Sequence, residues 1–261
     1  MSLFARFRDL VVRPDAEIPL DEVSLVIAHF ATDDLDERRV LRQLDALAES
    51  CSTPSPQGIA HHLFCDEHFR GNRTEYYDPR NSYLDQVLER RLGIPLSLSV
   101  LAIEVARRVD VGLVGVGMPG HFLLRDASDA DLFFDPFAGG VELDAAGCAA
   151  RFRALHGEGA RFHDRFLAPI GTSLIVARML ANLEAVFTQQ GDLASLAWVR
   201  SLRTELPQAT AEDHARFATT LAAMGRFGEA ARALDVAAHR STDGMGERYS
   251  GTAAGLRARL N

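Results

Sequence analysis

The chain has 261 residues, 47% hydrophobic and 25% charged, with 28 Lys and Arg against 36 Asp and Glu for a formal net charge of -8. That length gives ample core for one large domain or two small ones. The negative balance carries no clustered-cation footprint, which excludes nucleic acid and anionic membrane surfaces as partners.

The first segment, "MSLFARFRDLVVRPDAEIPL", has an arginine every few residues and no continuous apolar core, so it reads neither as a signal peptide nor as an anchor. No run approaches the roughly 20 apolar residues that cross a bilayer. Cys51, Cys65 and Cys148 are odd in number and widely spaced, which speaks against a disulfide framework and for a reducing, cytoplasmic setting. Residues 20–50 carry two helical patterns. "DEVSLVIAHF" opens on an acidic turn that suits the helix dipole, and "DERRVLRQLDALAES" aligns Val40, Leu41, Leu44 and Leu47 on one stripe. The prolines of "STPSPQG" stop that helix, and a third pattern, "IAHHLFCDEHF", follows.

"NSYLDQVLERRLGIPLSLSVLAIEVARRVD" predicts two helices joined at "GIP", with Asn81 or Ser82 as cap of the first and Gly93 as its left-handed stop. Pro95 suits the first turn of the second helix. There Leu98, Leu101, Ala102, Val105 and Ala106 form an apolar stripe, with Glu104, Arg107 and Arg108 directed to water. "VGLVGVGMP", "HFLLRD" and "DLFFDP" then predict a small antiparallel sheet, with "DASDAD" as a hairpin connection. After "DRFLAPIGT" the chain is expected to be helical to its end. Two helical hairpins there place turn glycines Gly191 and Gly225 34 residues apart, and "GRFGEA" resembles the inter-helix turn of a tetratricopeptide repeat, which has that period. The plan is therefore α+β, helices packed on a small antiparallel sheet, followed by an all-α region. The division is drawn as residues 1–165 and 166–261.

His61, Cys65 and His68 fall at i, i+4 and i+7, a spacing that soft metals accept, but the ligand set is incomplete and an amphipathic helix explains it; no metal is expected. "GVGMPGH" lacks the Gly-Lys-Ser/Thr ending of a phosphate loop, and no cofactor is expected. His121, heading one strand, and Asp135, ending the next, can be neighbours across a hairpin. A carboxylate so placed fixes the tautomer of a catalytic imidazole, or the pair simply staples the hairpin.

With those residues located, "YYDPRNSYLDQVLERRLGIPLSLSVLAIEVARR", "GVGMPGHFLLR" and "FFDPFAGG" together resemble the SirB family of bacterial transglutaminase-like proteins. The resemblance implies a papain/transglutaminase-like core and a tetratricopeptide-like helical tail. In the wider superfamily a Cys at a helix start, a His on one strand and an Asp on the next carry acyl transfer through a thioester. Carried over, the His is His121 and the Asp is Asp135, whereas Pro95 stands in the Gly-x-Cys place of the nucleophile. Ser97 and Ser99 lie in the first turns of the same helix.

Two readings follow. In one, the domain lacks its nucleophilic cysteine and binds a protein or peptide partner without catalysis, the helical tail offering a second surface. In the other, a hydrolase or acyltransferase uses Ser97 as nucleophile, His121 as base and Asp135 as orienter. Asn81, Glu89, Arg90 and Pro95 are expected to line the same cleft under either.

Overall fold

The computed structural model describes residues 1–242 and 244–260. Packing separates two units, Asp15–Met179 and a second made of Met1–Pro14 with Leu180–Asn261. This boundary differs from the sequence division at 165. The physical reason is Asp15, whose two carboxylate oxygens accept the Thr172 N–H at 2.8 Å and the Ser173 N–H at 2.9 Å, so the start of the helix beyond residue 165 is fastened to the first unit.

The chain opens with α1 (Leu3–Val11), followed by α2 (Leu20–His29) and α3 (Glu37–Glu49). In α3 the stripe predicted from sequence faces inward, with Val40, Leu44 and Leu47 buried. Pro56 begins α4 (Pro56–His61), which widens into a π turn, His62–Asp66, whose closing bond runs from the Glu67 N–H to the His62 carbonyl at 2.8 Å. His62 is buried beside the Leu47 carbonyl, 3.0 Å from its Nε2. His61 and Cys65 point to solvent and His68 lies past the helix with φ 59°, so these three share no helical face.

β1 (Arg70–Gly71) pairs in parallel with β2 (Leu92–Gly93), which follows α5 (Leu84–Arg90). Two expectations are corrected here. Asn81 and Ser82 belong to a 3-10 turn, Pro79–Ser82, and the residue heading α5 is Tyr83, with no side-chain cap. The left-handed stop of α5 is Arg91 (φ 55°), while Gly93 is extended; its lack of a side chain serves close packing, since a Cβ there would lie 2.7 Å from Ser97 Oγ.

α6 (Pro95–Arg108) is the central element: Leu98, Leu101, Ala102 and Val105 have no exposure and pack with Leu44, Leu63, Phe69, Leu84, Leu124 and Phe134. Glu104 is not directed to water. It is 1% exposed and meets Arg107 at 2.7 Å and Arg108 at 2.9 Å, and both arginines also reach the buried Asp21 of α2. Its position on the side of α6 that meets α2 decides its burial, and burial together with the Asp21 charge pushes its carboxyl up.

The sheet runs in the order β3 (Leu113–Val116), β4 (Leu123–Asp126), β5 (Phe133–Asp135), β6 (Val141–Leu143), all antiparallel. Alternation sends Leu124 and Phe134 to the α6 side and Leu123 and Phe133 to the other face, where α7 (Ala145–His156) supplies Cys148 and Phe152. Neither β6 nor α7 was read from the sequence. The remaining elements are α8 (Thr172–Gln190), α9 (Leu193–Thr204), α10 (Ala211–Ala223), α11 (Phe227–Arg240) and α12 (Gly246–Ala258), with Gly191 (φ 69°) and Gly225 (φ 75°) in the turns. Among the described residues no helix is long and apolar enough to cross a membrane.

Gly71 carries a sharp test of this packing, because a Cβ there would lie 2.3 Å from the Phe137 ring. Gly71→Ala is expected to destabilise the protein by about 1–3 kcal/mol through overpacking, read as a lower midpoint of urea unfolding. An unchanged midpoint would show that Phe137 is not held against that glycine.

Candidate functional site

Asp135 ends β5 and heads a 3-10 turn, Pro136–Ala138, accepting the Ala138 N–H at Oδ1 (3.1 Å). Its Oδ2 lies 3.0 Å from His121 Nε2 and 3.0 Å from Arg151 Nε of α7. Neither N–H is aimed straight at that oxygen, so charge rather than a well-aligned hydrogen bond holds this half of the carboxylate. Asp135 is fully buried and His121 is 8% exposed. Burial alone would raise the Asp135 carboxyl; the His121 contact, the Arg151 charge and the Ala138 N–H overcome it and hold the group below the usual carboxylate range.

His121 precedes β4, its N–H bonded to the Met118 carbonyl at 3.0 Å. The Arg178 guanidinium of α8 donates to the His121 carbonyl at 3.0 Å and lies across Gly117, where a Cβ would come within 2.6 Å of Nη1. Phe137 stands edge-on to the imidazole, ring centroids 6.3 Å apart, and edge-on to Tyr76 at 5.9 Å, with the Arg73 guanidinium 5.1 Å from its centroid. Phe137 thus links the imidazole to Tyr76 and Arg73, and Arg178 holds the His121 backbone.

Ser97 is held elsewhere. Its hydroxyl donates to the Asn81 carbonyl at 2.5 Å and accepts the Ile94 N–H at 3.0 Å, the bond that caps α6; no bond joins it to His121. Ser99 donates to the Pro95 carbonyl at 2.8 Å, one turn back. Pro95 is buried at the first position of α6. Asn81, fully buried, is a hub: its amide donates to the Glu75 carbonyl at 2.7 Å and its oxygen accepts from Asn72 at 3.0 Å and Arg90 at 3.3 Å. Arg90 also pairs with Asp78 at 3.3 Å. Asn81 and Arg90 therefore brace the segment that carries Tyr76. Glu89 is separate, exposed on a depression it shares with Asp36, Arg39 and Asp85.

Cys51, Cys65 and Cys148 are free thiols. Cys148 is buried among Val116, Leu123 and Phe152, and burial, with Asp144 and Asp135 nearby, pushes its thiol up to about 12. Cys65 is exposed on the π turn. Among the described residues no group of three or more His, Cys, Asp or Glu is placed to hold a metal ion. Arg151 and Arg178 were missed from sequence; the signal was weak, an arginine in each of two helices downstream of the sheet.

The family model described as the transglutaminase-like superfamily matches residues 38–181. A UPF0162 protein of Xylella fastidiosa is 38% identical over 217 residues, 77% of each chain. The UPF0162 protein of Pseudomonas aeruginosa is 34% identical over 189 residues, 69% of this chain and 66% of its own. F-box only protein 21 of Mus musculus is 33% identical over 132 residues, 47% of this chain and 20% of that protein. No solved structure matches.

The depressed Asp135 carboxyl has a signed consequence. Its stabilising contribution is present above the unfolded value near about 3.9 and is lost as pH falls through the lower folded value. Asp135→Asn is expected to cost about 3 kcal/mol at neutral pH by leaving His121 and Arg151 without their carboxylate. The gap between wild type and variant in urea unfolding should close as pH drops below about 4. A gap independent of pH would contradict this account.

Proposed function

The chain belongs to the transglutaminase-like superfamily, and we propose that it acts as a binding module for a protein or peptide segment rather than as an acyl-transfer enzyme. The observation that carries the reading is the state of the α6 start. Acyl transfer needs a nucleophile whose proton the imidazole removes. At this helix start Pro95 has no such group, and the Ser97 hydroxyl donates to the Asn81 carbonyl. A serine hydroxyl lies far above a thiol in pKa, and the helix dipole alone does not make it an alkoxide. The thiol of Cys148 is pushed in the same inactive direction. His121 and Asp135 then serve as polar groups of a recognition cleft in the SirB branch of the superfamily.

The shared region also forms 20% of the much longer F-box only protein 21, in keeping with a portable module. The turn glycines Gly191 and Gly225 support a tetratricopeptide-like second unit, which supplies a further surface for the same partner. The three cysteines are free thiols, which suits work in the cytoplasm.

Purified protein is expected to hydrolyse or transfer no acyl group from peptide, ester or thioester substrates above the buffer rate. Ser97→Ala should lower stability by about 1–2 kcal/mol through loss of the α6 cap and leave peptide capture unchanged. His121→Ala should weaken capture, measured by fluorescence polarisation with a labelled peptide library. Turnover that disappears in both Ser97→Ala and His121→Ala would overturn the binding reading in favour of a serine hydrolase.

A further inference from the structure

Arg178 is a cation without an anion. It is half-buried, yet the groups it meets are uncharged: the His121 carbonyl at 3.0 Å, the Met118 carbonyl at 3.5 Å, and the Phe122 ring, 5.2 Å from the guanidinium carbon. No carboxylate among the described residues forms an ion pair with it. This is unusual for a chain with eight more acidic than basic side chains, where a desolvated guanidinium finds an acid readily. The acid standing nearest to His121, Asp135, is already matched by His121 and Arg151. Gly117 is required for the arrangement, since a Cβ there would intrude to 2.6 Å from Nη1. Burial pulls the Arg178 guanidinium below its ordinary value, and the neighbouring Tyr76 phenol acts on it in the opposite direction. Across Phe137 stands Arg73, exposed and with no acid of its own among the described residues.

We propose that Arg178, with Tyr76 and Arg73, forms a subsite for a carboxylate group of a peptide, seated beside His121. The inference rests on the binding reading above and names the chemistry that these side chains select. A guanidinium presents paired donors in the fork that a carboxylate accepts, and the effect is strongest where water is excluded, as beside the buried His121. The Tyr76 hydroxyl supplies a further donor, and the Phe137 and Tyr76 rings give an apolar wall for the residue that bears the carboxylate. Two sources carry this group, a free C-terminus and a Glu or Asp side chain, and both satisfy the same donors.

The test is a titration of the isotope-labelled full-length chain, following the His121 ring and Arg178 Nε resonances. The probes are the peptide acetyl-Ala-Phe-Gly with a free carboxylate, its C-terminal amide, and acetyl-Ala-Glu-Gly-amide. The free acid or the Glu peptide is expected to shift both resonances and the plain amide to bind about tenfold more weakly or worse, a ratio of the size that a lost charge-assisted contact gives. The stronger of the two acids identifies the source. Arg178→Met should remove the preference for acid over amide, and Arg178→Lys should retain part of it. Equal binding of acid and amide, or displacement by inorganic phosphate at the same concentration as the peptide acid, would overturn the carboxylate subsite and leave the binding reading standing. If Arg178→Met fails to fold, the acid-to-amide comparison on the wild type decides alone. Mass analysis of the peptides after incubation separates the two claims: cleavage or acylation would overturn the non-enzymatic reading without touching the carboxylate preference.

Discussion

A fully buried carboxylate has to be compensated within a few ångströms or the fold would not keep it ionised. Asp135 meets that requirement from three directions: a strand head through His121, a helix through Arg151 and a turn amide through Ala138. This one group therefore joins β4, β5 and α7, and it heads the turn that carries Phe137 outward. Phe137 in turn rests on Gly71, whose strand pairs with Gly93 just before α6. The position of Phe137 and the start of the central helix are thus set by a single line of contacts that begins at the carboxylate.

His121 and Asp135 meet at 3.0 Å, while the hydroxyl of Ser97, near the start of α6, is a structural cap. Ser97 fastens the segment around Asn81 to α6, and the missing side chain of Gly93 leaves its oxygen the space it occupies. A hydrogen bond in that buried setting is costly to break, because the Asn81 carbonyl would lose its partner.

Much of this was legible in the sequence. The α6 stripe and the β3 to β5 strands were, because a face buried on one side imposes a strict period of 3.6 or 2. His121 and Asp135 were legible as a pair because a hairpin brings their strands together. What escaped reading had other causes. Glu104 looked like a surface charge, and only the position of α2 shows that Asp21, Arg107 and Arg108 enclose it. Arg91 took the left-handed turn that a glycine two residues later was expected to take, since the parallel pairing of Gly93 with Gly71 requires extended backbone there. Arg151 and Arg178 reach the site through tertiary packing, which leaves no local trace in the chain.

The π turn at His62–Asp66 bears on how the core tolerates changes in chain length. A π turn closes over five residues where an α turn closes over four, so the end of the helical segment that begins at Pro56 holds one residue more than an α turn would. Removing one residue between 62 and 66 would let the segment return to α geometry, but it would rotate His62 away from the Leu47 carbonyl and shift Leu63 and Phe64 out of register with α3 and α6. The extra residue is what lets His62 meet the Leu47 carbonyl while Leu63 and Phe64 stay in the core.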